Sequence, residues 1–157
     1  MKAGYFMSIA LFSPYTGTIH PITEAPDPVF SEKMLGDGFF VTPSVGEVVA
    51  PVDGAVTYVA PTKHGIRITA ADGMKLTLHV GTESGELKGE GFTVFVNEGA
   101  QVHKGDKLLT FSPELLRQNP KTTDACILLI EEMNDGKEVR LTASGEVTAL
   151  APVAEIV

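Results

Sequence analysis

Two of the four histidines lie in segments whose residue types could do chemistry together: His64, in Pro61-Thr62-Lys63-His64-Gly65-Ile66, and His79, in Leu78-His79-Val80-Gly81. A neutral imidazole nitrogen is a nucleophile near neutral pH, because its unperturbed pKa is about 6.5. Phosphoryl transfer asks for little beyond in-line placement of such a nucleophile and donors aimed at the equatorial oxygens. One ring could accept the group while the other donates an N–H to its oxygens. Thr62, two residues before His64, could add or relay a further hydrogen bond. A tight cationic clamp would trap the phosphate, so weak neighbours suit a group that must move on. Spacing alone leaves open that both histidines are ordinary strand residues. His20 and His103 belong to no motif, and solvent-facing or capping roles are expected for them.

The pair needs a scaffold that brings both rings to one place. Arg67 to Thr69 and Lys75 to Leu78 flank Ala70-Ala71-Asp72-Gly73, whose Asp-Gly is a hairpin turn signal. The hairpin carries the two histidines at its open end. With an even loop, positions whose numbers sum to an odd value share a face, and the histidines satisfy this at a separation of roughly 4.5–8 Å. That register sets Ile66 and Ile68 against Thr77 and Lys75, away from Leu76 and Leu78. Gathering the four aliphatic residues on one face requires an odd loop or a bulge, which separates the histidines unless the strands irregularise beside them. A hairpin buried on both sides would also remove the conflict.

The rest of the chain reads as one β-domain over residues 1–157, with 43% hydrophobic residues to fill a core and 20% charged. Sixteen glycines and ten prolines punctuate short apolar runs, the pattern of an all-β sandwich or barrel. Strands are expected near 18–21, 39–43, 47–50, 55–60, 65–70, 74–80, 92–96, 107–111, 125–131 and 146–150. Short helical pieces are expected at 28–34 and 112–117, the latter with Ser112 as cap and Pro113 first. Pro14-Tyr15-Thr16-Gly17 echoes Pro51-Val52-Asp53-Gly54, with Ser144-Gly145 as a partial third copy, each a turn feeding a strand. A net charge of -8 argues against nucleic acid as a partner and is compatible with a basic protein. Cys126, the single cysteine, excludes an internal disulfide and a cysteine-rich zinc site, and its apolar run reads as an inert core thiol. The apolar run Tyr5 to Phe12 is too short to span a membrane and too interrupted for a signal peptide, so a cytoplasmic protein without direct membrane insertion is expected. Met7 could be the natural start, and residues 1–11 are expected to be flexible.

The stretch from Pro61 to Ile66, then Leu78-His79-Val80-Gly81, then Glu86-Leu87-Lys88-Gly89-Glu90-Gly91-Phe92, resembles the glucose-type enzyme IIA family of the bacterial phosphoenolpyruvate:sugar phosphotransferase system. So do Val29 to Phe39 and Ala50-Pro51-Val52-Asp53-Gly54, and the similarity runs from about Phe12 to Val153. The resemblance implies an antiparallel β-sandwich or barrel-sandwich hybrid (a duplicated hybrid motif) with a shallow active depression. It implies that His79 accepts phosphate on Nε2 from the phosphohistidine of HPr, that His64 is the auxiliary histidine, and that Thr62 hydrogen-bonds to it. The next acceptor would be a cysteine of a sugar-specific IIB domain, absent here, and regulatory targets are further conceivable partners. Asp37 and Glu83 match acidic partner contacts, with Phe39 and Val80 on the apolar side. Thr82-Glu83-Ser84-Gly85 departs from the family's usual Ile-Asp-Thr-Val, and Asp124-Ala125-Cys126 replaces a Thr-Pro-Val segment. These changes bear on partner affinity more than on chemistry. Two rival classes fit parts of the same sequence. A LytM-like zinc peptidase needs a His-x-His ligand pair, but Thr77 holds the first place. A biotinyl or lipoyl carrier would explain the Glu98 to Leu108 stretch but lacks a lysine in the expected turn. Neither a metal nor a cofactor is expected.

Overall fold

The computed structural model describes residues 9–131 and 137–157. Among the described residues fourteen strands occur in chain order: β1 (Ile9–Phe12), β2 (Gly17–Pro21), β3 (Asp37–Pro43), β4 (Glu47–Val49), β5 (Gly54–Val59), β6 (Gly65–Ala70), β7 (Lys75–Thr82), β8 (Phe92–Val94), β9 (Gln101–Val102), β10 (Lys107–Phe111), β11 (Thr123–Ile130), β12 (Val139–Leu141), β13 (Gly145–Val147) and β14 (Pro152–Ile156). Two short helices join them, α1 (Pro28–Ser31) and α2 (Pro113–Gln118). An eight-stranded sheet runs β13-β2-β3-β11-β7-β6-β5-β9, and two three-stranded sheets run β1-β14-β12 and β4-β10-β8. Every ladder is antiparallel. The all-β expectation therefore holds.

Alternation along the strands decides what is buried. Leu76, Leu78 and Val80 of β7 join Ile66 and Ile68 of β6 and Cys126, Leu128 and Ile130 of β11 in the main core, with Leu11, Val48, Leu108, Leu109 and Val153 from the small sheets. The opposite face of the large sheet is covered locally by the 21–34 segment, where Ile22, Ala25 and Phe30 pack on Phe40, Ala125, Ile127 and Leu129. With both faces covered, β11 is an unbroken apolar run from Ala125 to Ile130. Cys126 is buried and its thiol pKa is pushed up, first by burial, as expected of an inert core group.

The repeated turns lead into strands as the echo predicts: Gly17 opens β2, Gly54 opens β5 and Gly145 opens β13. At Gly17 and Gly54 the neighbouring strand passes so close that a Cβ would fall 2.0 Å from Thr42 O and 2.3 Å from Thr69 O. Both positions therefore require glycine.

Several expectations need correction. The β6–β7 hairpin pairs Gly65 with His79, Ile66 with Leu78, Arg67 with Thr77 and Ile68 with Leu76. Ala70 N–H donates to Met74 O at 2.7 Å, which closes an odd loop. Gathering four aliphatic side chains into the core prevails over the odd-sum register. The hairpin is also not buried on both sides, since Arg67 and Lys75 stand exposed on its outer face. Residues 9–11, expected to be flexible, form β1 against β14, with Leu11 buried; residues 1–8, including Met7, lie outside the described residues. The strands β1, β9, β12 and β14 were not anticipated. The first expected helix is a single turn, capped by the Asp27 side chain on Val29 N–H and ended by Lys33 at φ 59°.

Candidate functional site

His79 lies on the outer face of the large sheet, in a row of registered residues: His20 on β2, Phe40 on β3, Ile127 on β11, His79 on β7 and Gly65 on β6. Ile127 and Phe40 on this row belong to the smaller apolar cluster, and Phe30 from α1 brings its ring centroid to 5.4 Å from that of His79. His79 is thus set into an apolar shelf and half covered by it.

His64 stands one residue before β6, outside the regular pairing. A turn closed by Lys63 N–H to Ala60 O at 2.8 Å, with Lys63 in the left-handed region at φ 69°, delivers it. Its carbonyl accepts from Val80 N–H at 2.8 Å, tying it to β7. The irregular entry into β6 lets the two rings meet although the ladder register alone would part them. Their centroids are 4.8 Å apart with the planes at 81°, edge to face. Gly65, opposite His79, leaves the space beside the ring free of side chain, and even a Cβ there would stay 3.9 Å from His79 Cδ2.

The hydrogen bonds set the protonation pattern. His79 Nδ1 lies 2.7 Å from Gly81 O. A carbonyl only accepts, so neutral His79 carries its proton on Nδ1 and leaves the Nε2 lone pair free. Gly81 adopts φ +77°, and a Cβ would fall 2.4 Å from Ser84 Oγ and 2.5 Å from Thr123 O, so the turn that aims this carbonyl admits only glycine. Ser84, itself buried, donates its hydroxyl to Val80 O at 2.5 Å and braces the turn. On the other ring, His64 Nδ1 is 2.8 Å from Thr62 Oγ1.

Both imidazoles are held below the ordinary histidine pKa. For His79 burial is the main cause and the neighbouring His64 the second; the Gly81 hydrogen bond and the Asp27 carboxylate oppose them, and the net value is about 4. His64 is lowered by burial, against a hydrogen bond with the Thr62 backbone. The arrangement is a neutral nucleophile with a fixed tautomer, beside a second neutral imidazole and a hydroxyl.

A profile of the family described as phosphoenolpyruvate-dependent sugar phosphotransferase system, EIIA 1, matches residues 9–135. The chain belongs to this family. Glucose-specific EIIA components of Staphylococcus aureus strains Mu50 and N315 are each 43% identical over 121 residues, 77% of this chain and 73% of the relative. Glucose permease IIA from Mycoplasma capricolum is a solved structure 34% identical in sequence, with a TM-score of 0.83 over 96% of this chain and 97% of its own. The family is neither of the two rival classes.

Within this EIIA-family chain, His79, His64 and Thr62 come together, whereas two of the four residues expected at the partner surface, Phe39 and Val80, are buried. Phe39 and Val80 are buried in the main core, at 0% and 1% exposure, because each alternates with the outward residue beside it, Phe40 and His79. The Asp37 carboxylate, partly exposed, accepts from Gly38 N–H and Val139 N–H, both at 2.9 Å, and meets Lys33 Nζ at 3.5 Å, so it joins backbone segments. Glu83 is exposed, at φ 56° on the turn after β7. The residues not foreseen are Asp27, which caps α1, Phe30 on α1, and Gly81 and Ser84 beyond His79. Asp27 was visible as a capping acid before Pro28, but nothing in the sequence told that this helix lies across His79. His20 stacks on Phe40 at 4.7 Å and pairs with Thr42 Oγ1 at 3.0 Å, while His103 is exposed. Among the described residues no helix is long and apolar enough to cross a membrane.

Proposed function

We propose that this EIIA-family chain is a phosphocarrier: His79 Nε2 takes a phosphoryl group from the phosphohistidine of HPr and passes it to a cysteine thiolate of a sugar-specific IIB domain. The observation that carries this reading is the Nδ1–H bond to Gly81 O, which leaves Nε2 as the lone-pair nitrogen. In the first step the Nε2 lone pair bonds to phosphorus as the P–N bond of the donor breaks, and the departing imidazole keeps the electron pair. The His79 ring gains positive charge, and the strengthened Nδ1–H bond to Gly81 O stabilises it. In the second step a thiolate attacks phosphorus, and His79 leaves as the neutral Nδ1–H ring with which it began. With Thr62 donating to its Nδ1, His64 carries its proton on Nε2 and presents it to the phosphoryl oxygens.

The depressed basicity of His79 favours onward movement of the group. A less basic nitrogen attacks somewhat more slowly but departs more readily, which suits a site that must both take and give. For docking, the exposed apolar residues Val29, Met34 and Leu35 at and after α1 replace Phe39 and Val80, and Asp27 and Glu83 supply negative charge toward a basic partner. Exposed ion pairs contribute only about 0–1 kcal/mol each, so they act mainly on encounter rate and permit release. A phosphoryl group adds about -1.5 to -2 charges there and would change which partners, regulatory ones included, are bound. The setting would be the cytoplasm. Relatives named for glucose make it the first sugar to try.

The test is incubation with phosphoenolpyruvate, enzyme I and HPr, followed by mapping of an acid-labile phosphoryl group. Wild type is expected to carry it on His79, and His79→Ala to carry none. His64→Gln is expected to accept phosphate but to transfer it slowly to IIB. Full uptake by His79→Ala would remove His79 from the mechanism.

A further inference from the structure

Tyr15 belongs to neither histidine motif, yet it reaches the back of the site. It is buried, at 1% exposure, in a core where phenylalanine would fill nearly the same volume, so its hydroxyl is the feature to account for. The buried Ser13 hydroxyl grips the Tyr15 backbone on both sides, donating to Tyr15 O at 2.6 Å and accepting from Tyr15 N–H at 3.1 Å. From that anchor the ring crosses the main core to the large sheet, where Oη donates to Ile127 O at 2.6 Å. Ile127 is the residue registered with His79. Val80 N–H turns to His64 O on β6, so by the alternation of a strand the His79 N–H turns the other way, toward β11 and Ile127. The phenol pKa is pushed up, first by burial and then by Cys126, with the backbone of His79 opposing them. The hydroxyl therefore sits at the one ladder pair from which the nucleophilic ring projects, on the opposite side of the sheet from that ring.

The geometry points to Tyr15 as a positioning residue for His79: its hydroxyl pins the His79–Ile127 backbone pair from the core side, and so holds the His79 ring where Nδ1 reaches Gly81 O and Nε2 faces the incoming phosphorus. This rests on the phosphocarrier reading for its consequence, but not for its structural content. Without the hydroxyl the pair keeps only its ladder contacts. The His79 backbone gains play, the Nδ1–H bond to Gly81 O weakens, and the tautomer with the proton on Nε2, which cannot attack phosphorus, becomes populated.

The experiment compares wild type with Tyr15→Phe by imidazole 15N spectra at fixed neutral pH and by single-turnover phosphoryl uptake from phosphorylated HPr. The expected result is movement of the His79 nitrogen shifts away from the pure Nδ1–H pattern. Uptake should slow about two- to tenfold, the equivalent of one ordinary hydrogen bond. A variant with a lower melting temperature but unchanged His79 nitrogen shifts would show a purely structural tyrosine and overturn the inference. Should Tyr15→Phe fail to fold, Ser13→Ala, which loosens the grip on the Tyr15 backbone and keeps the phenol, is judged by the same two readings. If wild type itself takes up no phosphate, the phosphocarrier reading fails, while the nitrogen shifts still decide the role of Tyr15.

Discussion

Between pH 7.5 and pH 5.5 an ordinary histidine of pKa 6.5 goes from about nine-tenths neutral to about one-tenth neutral, so a nucleophilic rate resting on it would fall about tenfold. His79 should not follow that course. With its pKa at about 4, the ring is still roughly 97% neutral at pH 5.5, and single-turnover uptake from pre-phosphorylated HPr should change by less than about a fifth. The same shift acts on stability with a definite sign. The unfolded chain takes up a proton near pH 6.5 and the folded site only near 4, so the folded state is favoured fully above 6.5 and loses ground as pH falls toward 4. The whole shift corresponds to about 3 kcal/mol, and to about 2 kcal/mol after allowance for the water that a half-buried ring still meets. The direct assay is an NMR titration of the His79 Cε1–H and ring nitrogens, with thermal unfolding followed across the same pH range. His64→Gln should raise the midpoint only part of the way, since burial outweighs the neighbouring ring among the causes. A wild-type midpoint near 6.5 would refute the reasoning, because the apolar shelf around His79 would then exert no effect on its charge.

Two substitutions probe the supports of the rings. Thr62→Val removes the hydroxyl from His64 Nδ1 and should slow transfer to IIB about two- to tenfold in a single-turnover assay while leaving the melting temperature within a few degrees. Gly81→Ala forces a side chain into a left-handed backbone against Ser84 Oγ and Thr123 O. It should cost about 2 kcal/mol or more in denaturant unfolding and free the His79 tautomer, visible in its 15N spectrum.

His79, His64 and Thr62 were singled out by residue type and by the resemblance of the Pro61 to Ile66 and Leu78 to Gly81 stretches to the enzyme IIA family, since spacing alone left both histidines open as ordinary strand residues. The all-β class was legible from glycine and proline punctuation, and Cys126 from its apolar run. Register was harder. Turn chemistry around Asp72-Gly73 suggested an even loop, but the gain from burying Ile66, Ile68, Leu76 and Leu78 together outweighs it, and no local signal records that balance. Phe39 and Val80, carried over from the resemblance as apolar partner contacts, point into the main core, while the residues beside them, Phe40 and His79, face the outer side of the sheet. Strands such as β1 and β14 stabilise each other across almost the full chain length, and neither shows strong alternation alone. Asp27 and Phe30 were readable as a helix start but not as a wall of the site, because that contact depends on how the 21–34 segment crosses the sheet.

The placement of His79 reconciles two demands on a relay group. A nucleophile on a free loop would have a normal pKa and would settle into several orientations, while one sealed in the core could not meet a partner. The last regular positions of a central strand offer rigidity on one side and access on the other. β11 and β6 hold the backbone, Phe30 covers part of the ring, and the β7–β11 register slips at Gly81, between the Val80–Cys126 and Thr82–Thr123 pairs, where the carbonyl meets Nδ1. The low basicity follows from this enclosure, with the neighbouring His64 ring adding to it. On the proposed phosphocarrier reading the apolar shelf is part of the chemistry: it would keep Nε2 unprotonated before attack and make it a competent leaving group afterwards.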